Sequence, residues 1–358
     1  MSKIVLINDI HFGGRNDAEF LRKHQRKFFE EVFFPYLDNN KIMRIICNGD
    51  VNDRRKYINF ETLQFEHDVL WKPLEQRNIE VDIIDGNHDL AMKSTNRISS
   101  INLLLSQYKN IKHHREPTIK DIDGCKFMMC GWFYNQEMYE KSMKFIADND
   151  ADVFIGHLEL MGFPLQGENT MHEGQDPKFF EKFPCVLSGH YHTKSTRGNI
   201  HYLGTQYEII ASDTDGHKKG FHVFDTETKT LEFVPNPYTL FEKITYDDSN
   251  PEFLKYLKNI DYSKFTDKIV KITVLHKQDN DLYEKMLDNL YSQSTIEISI
   301  FEDISCFHQD NVDVSSINLS TKELIDQYVD TVDTPADKKK IKNMIGKIYI
   351  ESLMNNAK

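Results

Sequence analysis

An α/β fold with its working residues at the carboxyl ends of its strands is predicted by three observations. Short apolar runs alternate with stretches of helical length through the first half of the chain. Nearly every such run ends directly in polar residues of metal-ligand type. At 358 residues and 39% hydrophobic, the chain is long enough to bury a large core and carry further units.

The elements follow in order. Ile4–Ile7 is apolar throughout, as expected of a strand buried on both faces. Ala18–Phe34 has helical length and composition, Ile42–Cys47 is a second strand, Phe60–Leu70 a second helix and Val81–Ile84 a third strand. Lys126–Met129, Val153–Ile155 and Cys185–Leu187 continue the strands, and the alternation predicts a sheet with both faces covered. Strand-like pieces at Ile200–Leu203, Gly220–Phe224 and Thr230–Val234 lead to Pro235-Asn236-Pro237, which sets the first domain at 1–237. Residues 238–301 read as a small α+β domain: strand Phe241–Tyr246, helix Pro251–Leu257, strand Lys268–Leu275, helix Leu282–Tyr291, strand Thr295–Phe301. Residues 302–319 hold acidic residues but no Lys or Arg, and read as a linker. In 320–358, Ser320-Thr321-Lys322-Glu323 is a capping box, and Pro335 restarts a second helix with Ile341, Met344, Ile345 and Ile348 on one face.

Composition removes several function classes. The net charge of −12 repels a polyanion over most of the surface, so a general DNA-coating role is excluded. Five scattered Cys without a C-x-x-C pair predict reduced thiols and a cytoplasmic location. No stretch approaches the roughly 20 apolar residues of a membrane span.

Five motifs carry the chemistry: Asp9-x-His11, Gly49-Asp50-x-x-Asp53, Gly86-Asn87-His88-Asp89, Gly156-His157 and Gly189-His190-x-His192. Alone, each has an ordinary reading, such as a capping Asp, a turn or a pair of surface histidines. Together, each placed after a strand, they predict loops converging from one sheet edge on a metal site. Gly precedes the candidate ligand in four of them, allowing a sharp turn.

This order resembles the calcineurin-like metallophosphoesterase family. The wider layout is similar to its nuclease branch, the SbcD-type subunits of bacteria and the recombination nucleases of T-even phages. The resemblance implies a metallophosphoesterase β-sandwich flanked by helices, the 238–301 unit as a capping domain, and a helical tail. It implies that Asp9, His11 and His192 hold one metal, that Asn87, His157 and His190 hold another, and that Asp50 bridges them. A bridging carboxylate offsets repulsion between two dications. Imidazole and oxygen donors without thiolate suit Mn²⁺, Fe²⁺ or Zn²⁺; the resemblance favours two Mn²⁺, with Mg²⁺ also admitted. It further implies hydrolysis of phosphodiesters by a metal-activated water, with His88 stabilising the transition state or protonating the leaving oxygen. Asp53 stands where many relatives have His, and is expected to orient His88 or contact a metal-bound water.

DNA and a partner complete the expectation. Residues 1–60 carry a net charge of +3 in an acidic chain. Arg15, Arg54, Arg55 and Lys56 beside the first two motifs are therefore expected to contact phosphates. The resemblance implies that the tail docks onto an SbcC-like coiled-coil ATPase through Ile341, Met344, Ile345 and Ile348. It also implies a homodimer, with the helices at 18–34 and 60–77 supplying the face. The expected activity is a DNA exonuclease, with endonuclease action second. The alternatives are a metallophosphatase acting on small phosphoesters or phosphoproteins, and a scaffold with a degenerate metal core.

Overall fold

The computed structural model describes residues 2–166, 169–214 and 218–302, with 329, 338–342 and 345 of the C-terminal stretch. Two compact units divide the chain, Met1–Phe301 and Glu302–Lys358. In the second, Ile341 and Ile345 are helical, while the linker over 303–319, Met344 and Ile348 lie outside the described residues.

The strands and helices of the first unit run in this order. Strand β1 (Lys3–Ile7) leads to helix α1 (Glu19–Phe28), which continues through a π-helical turn at Phe29–Phe33 into α2 (Phe34–Asn40). β2 (Arg44–Cys47) is followed by α3 (Phe60–Glu66), a second π-helical turn (His67–Trp71) and α4 (Lys72–Gln76). β3 (Glu80–Ile84) precedes the hairpin β4 (Leu90–Met92) and β5 (Thr95–Ser99), then α5 (Ser100–Leu105) and β6 (Ile111–His114). β7 (Thr118–Ile122), β8 (Cys125–Cys130), α6 (Gln136–Asp148), β9 (Val153–His157) and the small hairpin β10 (Pro164–Gln166) and β11 (Asn169–Thr170) follow. β12 (Cys185–Gly189), β13 (Ser195–Arg197), β14 (Ile200–Tyr202), β15 (Gly220–Asp225) and β16 (Thr230–Pro235) complete the core.

The single sheet expected from the alternation is two sheets. One has the order β16-β15-β1-β2-β3-β6 and the other β13-β14-β12-β9-β8-β7, each with parallel strands at its centre. The cause is the pleat, which sends neighbouring side chains to opposite faces. Ile4 and Leu6 of β1 pack with Phe127, Met129, Ile155 and Leu187 between the sheets. Val5 and Ile7 face outward to Phe28, Phe29, Leu70 and Trp71. The second sheet repeats this, with Met128, Phe154 and Val186 facing Ile146 of α6. A helix–sheet–sheet–helix sandwich therefore needs strands that are apolar on both faces, and such runs do not tell one sheet from two.

Residues 238–301 form a third sheet, β17 (Phe241–Asp247), β18 (Ile269–His276) and β19 (Glu297–Glu302). Helices α7 (Pro251–Asn259) and α8 (Asn280–Tyr291) belong to this module, and Tyr283, Met286 and Leu290 of α8 share its separate core with Tyr246, Val270 and Ile272. It is held to the sandwich by the buried Glu208 carboxylate, which accepts the N–H groups of Leu240 (2.6 Å) and Phe241 (2.9 Å). Among the described residues, no helix is long and apolar enough to cross a membrane.

Candidate metal centre

The loops leaving β1, β2 and β3 meet those leaving β9 and β12, so the five motifs converge from the rims of two sheets. Backbone bonds fasten the first two loops together: Asp9 N–H to Gly49 O (2.9 Å), His11 N–H to Asp50 O (3.1 Å) and Phe12 N–H to Val51 O (2.9 Å). Asp9, His11, Asp50 and His190 all hold left-handed backbone (φ 48°, 50°, 54° and 91°). That conformation is costly for non-glycine residues and collects at functional sites.

Two clusters gather the expected ligands. Donor atoms of Asp9, His11 and His192 lie within 4.8 Å of one another, as do those of Asp50, His157 and His190. In the first, Nε2 of His11 and Nε2 of His192 face each other at 3.1 Å. In the second, the Asn87 amide lies 3.0 Å from both His157 Nε2 and His190 Nδ1. Donors about 3 Å apart are what two ligands on one cation at about 2.1 Å present at a right angle. Asp50 stands between the clusters, its Oδ2 3.4 Å from His157 Nε2 and 3.8 Å from His11 Nε2. Its Oδ1 accepts the His88 N–H at 2.7 Å. His157 donates Nδ1–H to the Asn48 carbonyl (2.7 Å), which fixes the tautomer and leaves Nε2 as the donor toward a cation.

The Asn87 amide has two settings. With its nitrogen toward the two imidazoles, its oxygen accepts from Arg55 Nη2 at 3.0 Å. Turned over, it presents oxygen to the same point as His157 and His190. The donor set fits divalent cations: anionic or carbonyl oxygen plus imidazole, with no thiolate.

Electrostatics divide each histidine pair. Burial pushes His11 down, but Asp53, Asp50 and Asp9 outweigh it and lift it to about 9. His157 is likewise lifted to about 9, because Asp50 and Asp9 overcome burial. Burial and then the charge on His157 push His190 down to about 3, and burial and then His11 push His192 down to about 4. Each cluster at neutral pH thus holds one imidazolium and one neutral imidazole. Loading both clusters must displace about two protons. Mn²⁺ affinity is therefore expected to rise with pH from 6 to 9 and to level off above. Calorimetry in buffers of different ionisation enthalpy checks this, and a pH-independent affinity would contradict it.

Asp53 joins His11 and His88 in a third cluster whose donor atoms lie within 4.8 Å of one another, without a direct bond between its carboxylate and His88. The Asp53 backbone carbonyl meets His88 Nδ1 at 2.5 Å, while the carboxylate lies 3.5 Å from His11 Nδ1. The expected basic cluster separates: Arg54 pairs with Asp17 (3.1 Å) and bonds Asn16 (3.0 Å), tying two loops together. Arg55 reaches Asn87, and Arg15 and Lys56 are exposed.

Three residues were given no role by the motifs. The buried Asp89 carboxylate accepts N–H groups of Asp50 (2.7 Å), Gly86 (2.8 Å) and Val51 (3.0 Å). Its place at the end of Gly86-Asn87-His88-Asp89 was the available signal. Asp213, buried, lies 3.8 Å from His192 Nδ1 and holds Lys219 at 3.2 Å. Trp132 contacts the His190 ring. The sequence around these last two residues carries no such signal.

Known proteins agree with this geometry. The chain is 31% identical over 356 residues (98% of this chain, 99% of the relative) to Exonuclease subunit 1 of Enterobacteria phage T4. It is 24% identical over 316 residues (79% and 78%) to the DNA double-strand break repair protein Mre11 of Methanocaldococcus jannaschii. Residues 2–194, which contain all five motifs, match the family description "Calcineurin-like phosphoesterase". A sandwich whose two sheets meet at one rim of aspartate and histidine thus accords with a match spanning more than half of the sequence: the chain belongs to the calcineurin-like phosphoesterase family.

Proposed function

We propose that the chain is a DNA nuclease subunit: a divalent-metal phosphodiesterase, exonucleolytic first and endonucleolytic second, that works with a coiled-coil ATPase. One observation carries the reading. Similarity to Exonuclease subunit 1 continues through 98% of the chain, far past residue 194 where the general phosphoesterase match stops. A shared phosphatase core alone gives no reason for likeness across the 238–301 module and the tail.

Asp9, His11 and His192 would hold one cation and Asn87, His157 and His190 the other, with Asp50 shared and Mn²⁺ the metal that the donors and family suit best. Two bound cations supply Lewis acidity toward the phosphodiester and lower the pKa of a water. The protein's own groups do the rest. His88, held by its backbone to Asp50 and at Nδ1 to the Asp53 carbonyl, keeps Nε2 free to serve the leaving oxygen. The bond from Nδ1–H to the carbonyl orients the ring so that Nε2 can pass a proton to the leaving oxygen. Arg55, beside Asn87, has a buried Nη1 without a partner, suited to a phosphate oxygen.

The test is release of nucleotides from end-labelled linear DNA with Mn²⁺. His88→Asn is expected to lower kcat by about 10²–10⁴-fold, with Mn²⁺ stoichiometry unchanged. DNA left intact by the wild-type protein under all divalent metals would overturn the reading. For the tail, Ile345→Asp is expected to reduce co-purification of the ATPase subunit, and undiminished recovery would remove Ile345 from the docking face.

A further inference from the structure

We infer that Trp132 is a stacking platform for an unpaired nucleobase beside the bond that is cut; the inference rests on the nuclease reading. Trp132 lies in Gly131-Trp132-Phe133-Tyr134, the turn leaving β8. This turn is pinned to the loop that follows β3. The Trp132 N–H donates to the Asp85 carbonyl at 2.8 Å. At Gly131 a Cβ would stand 2.9 Å from that same oxygen, so the two backbones approach as closely as glycine permits. The backbone of Trp132 is thereby fixed to the strand end that leads into Asn87-His88.

Its ring centroid is 5.1 Å from that of His190 and 6.2 Å from that of His157, two of the imidazoles expected to surround the scissile phosphate. Tyr191 also meets His190, at 5.1 Å, but is 0% exposed. Among the described residues, Trp132 is therefore the aromatic side chain at these imidazoles with surface left for a ligand. A phosphodiester held at Asn87, His157 and His190 carries its nucleoside within one side chain's length of the indole.

Two further considerations select a base as the occupant. The chain is acidic overall, so charge alone holds DNA weakly away from its basic loops. An aromatic face binds any base without reading sequence, which suits an enzyme that degrades DNA from its ends. A flat indole accepts a base only when that base has left the duplex stack. The platform therefore favours single-stranded or frayed ends over fully paired ones.

The chain has two tryptophans, and Trp71 is fully buried. Quenching of fluorescence by a short deoxyoligonucleotide thus reports Trp132. With His88→Asn to slow turnover and Mn²⁺ present, a single-stranded oligonucleotide is expected to quench, and the same oligonucleotide with an abasic terminal nucleotide to quench far less. In the active protein, Trp132→Ala is expected to raise KM for single-stranded and end-mismatched DNA by roughly 5- to 150-fold, and Trp132→Phe to restore most of it. The abasic substrate should be cut alike with or without the indole, since the base is its partner. Equal quenching by the abasic oligonucleotide, or a Trp132→Ala defect of full size on the abasic substrate, would show that the indole merely walls the imidazoles. DNA cut at unchanged KM by Trp132→Ala would sink this inference alone. DNA left intact by every form, including wild type, would remove the nuclease reading with it.

Discussion

Asp50→Asn is expected to abolish hydrolysis while leaving the protein folded. The carboxylate is 2% exposed and sits between the two donor clusters. An amide of the same shape keeps the oxygen that accepts the His88 N–H at 2.7 Å, so the turn has no reason to move. What disappears is the charge. Although burial pushes Asp50 up, His157 and His11 hold its carboxyl well below the usual range, so it is an anion throughout the working pH. Two neighbouring dications held by these clusters would need an anion between them, and Asp50 is the residue proposed to supply it. Its loss should reduce the stoichiometry from two ions to at most one. Several kcal/mol of transition-state stabilisation then go, and at about 1.4 kcal/mol per tenfold the rate should fall on the order of a thousandfold or more. Mn²⁺ stoichiometry by calorimetry and nucleotide release from labelled DNA are the measurements. Activity within tenfold of wild type would show that the bridge lies elsewhere.

The convergence of the site was legible because each motif sits where a buried strand must surface. β1, β2, β3, β9 and β12 are mostly apolar, with Asp82 of β3 the charged interior exception, and lead into Asp9, Asp50, Asn87, His157 and His190. Division into two sheets came from the family resemblance, which implied the sandwich, and not from the apolar runs, because Ile4 and Val5 serve different cores while looking alike in sequence. β4 to β7 and α6 were missed for a related reason. Thr118–Ile122 is a half-exposed strand with polar residues, and α6 shows its capping Asn135 more clearly than any apolar stripe. Arg54 and Arg55 are neighbours in one basic run, and only the path of the turn sends one to Asp17 and the other to Asn87. Asp213 acts across the fold on His192, a distance that spacing along the chain does not encode.

Gly86→Ala should be nearly as damaging as loss of the Asp50 carboxylate, and by a purely steric route. A Cβ on Gly86 would stand 2.2 Å from Asp50 Oδ1 and 2.4 Å from Asp50 N. Rotating the Asp50 side chain relieves the first contact but not the second, which is to backbone. From the other side, a Cβ on Gly49 (φ 87°) would meet Gly86 N at 2.3 Å. The loops after β2 and β3 therefore touch main chain to main chain, and only hydrogen fits between them. Asp89 locks that contact by accepting N–H groups from Gly86, Asp50 and Val51. A methyl group must push the loops apart, breaking these bonds and drawing Asp50 away from His157 and His11. Overpacking of this kind costs about 1–3 kcal/mol, a loss of roughly 2–4 °C in melting temperature per kcal/mol in a domain of this size. Such a protein still folds. Its Mn²⁺ binding should fall to one ion or none, and its nuclease rate on the order of a thousandfold, as for the lost bridge. Thermal melting of the metal-free protein above pH 9, where His11 and His157 have lost the charge that Asp50 offsets, separates the two routes: there Asp50→Asn should not lower the melting temperature, whereas Gly86→Ala should. Two-ion binding retained by Gly86→Ala would mean that the loops can part without moving the bridge, and the close approach would then have no role in placing the metals.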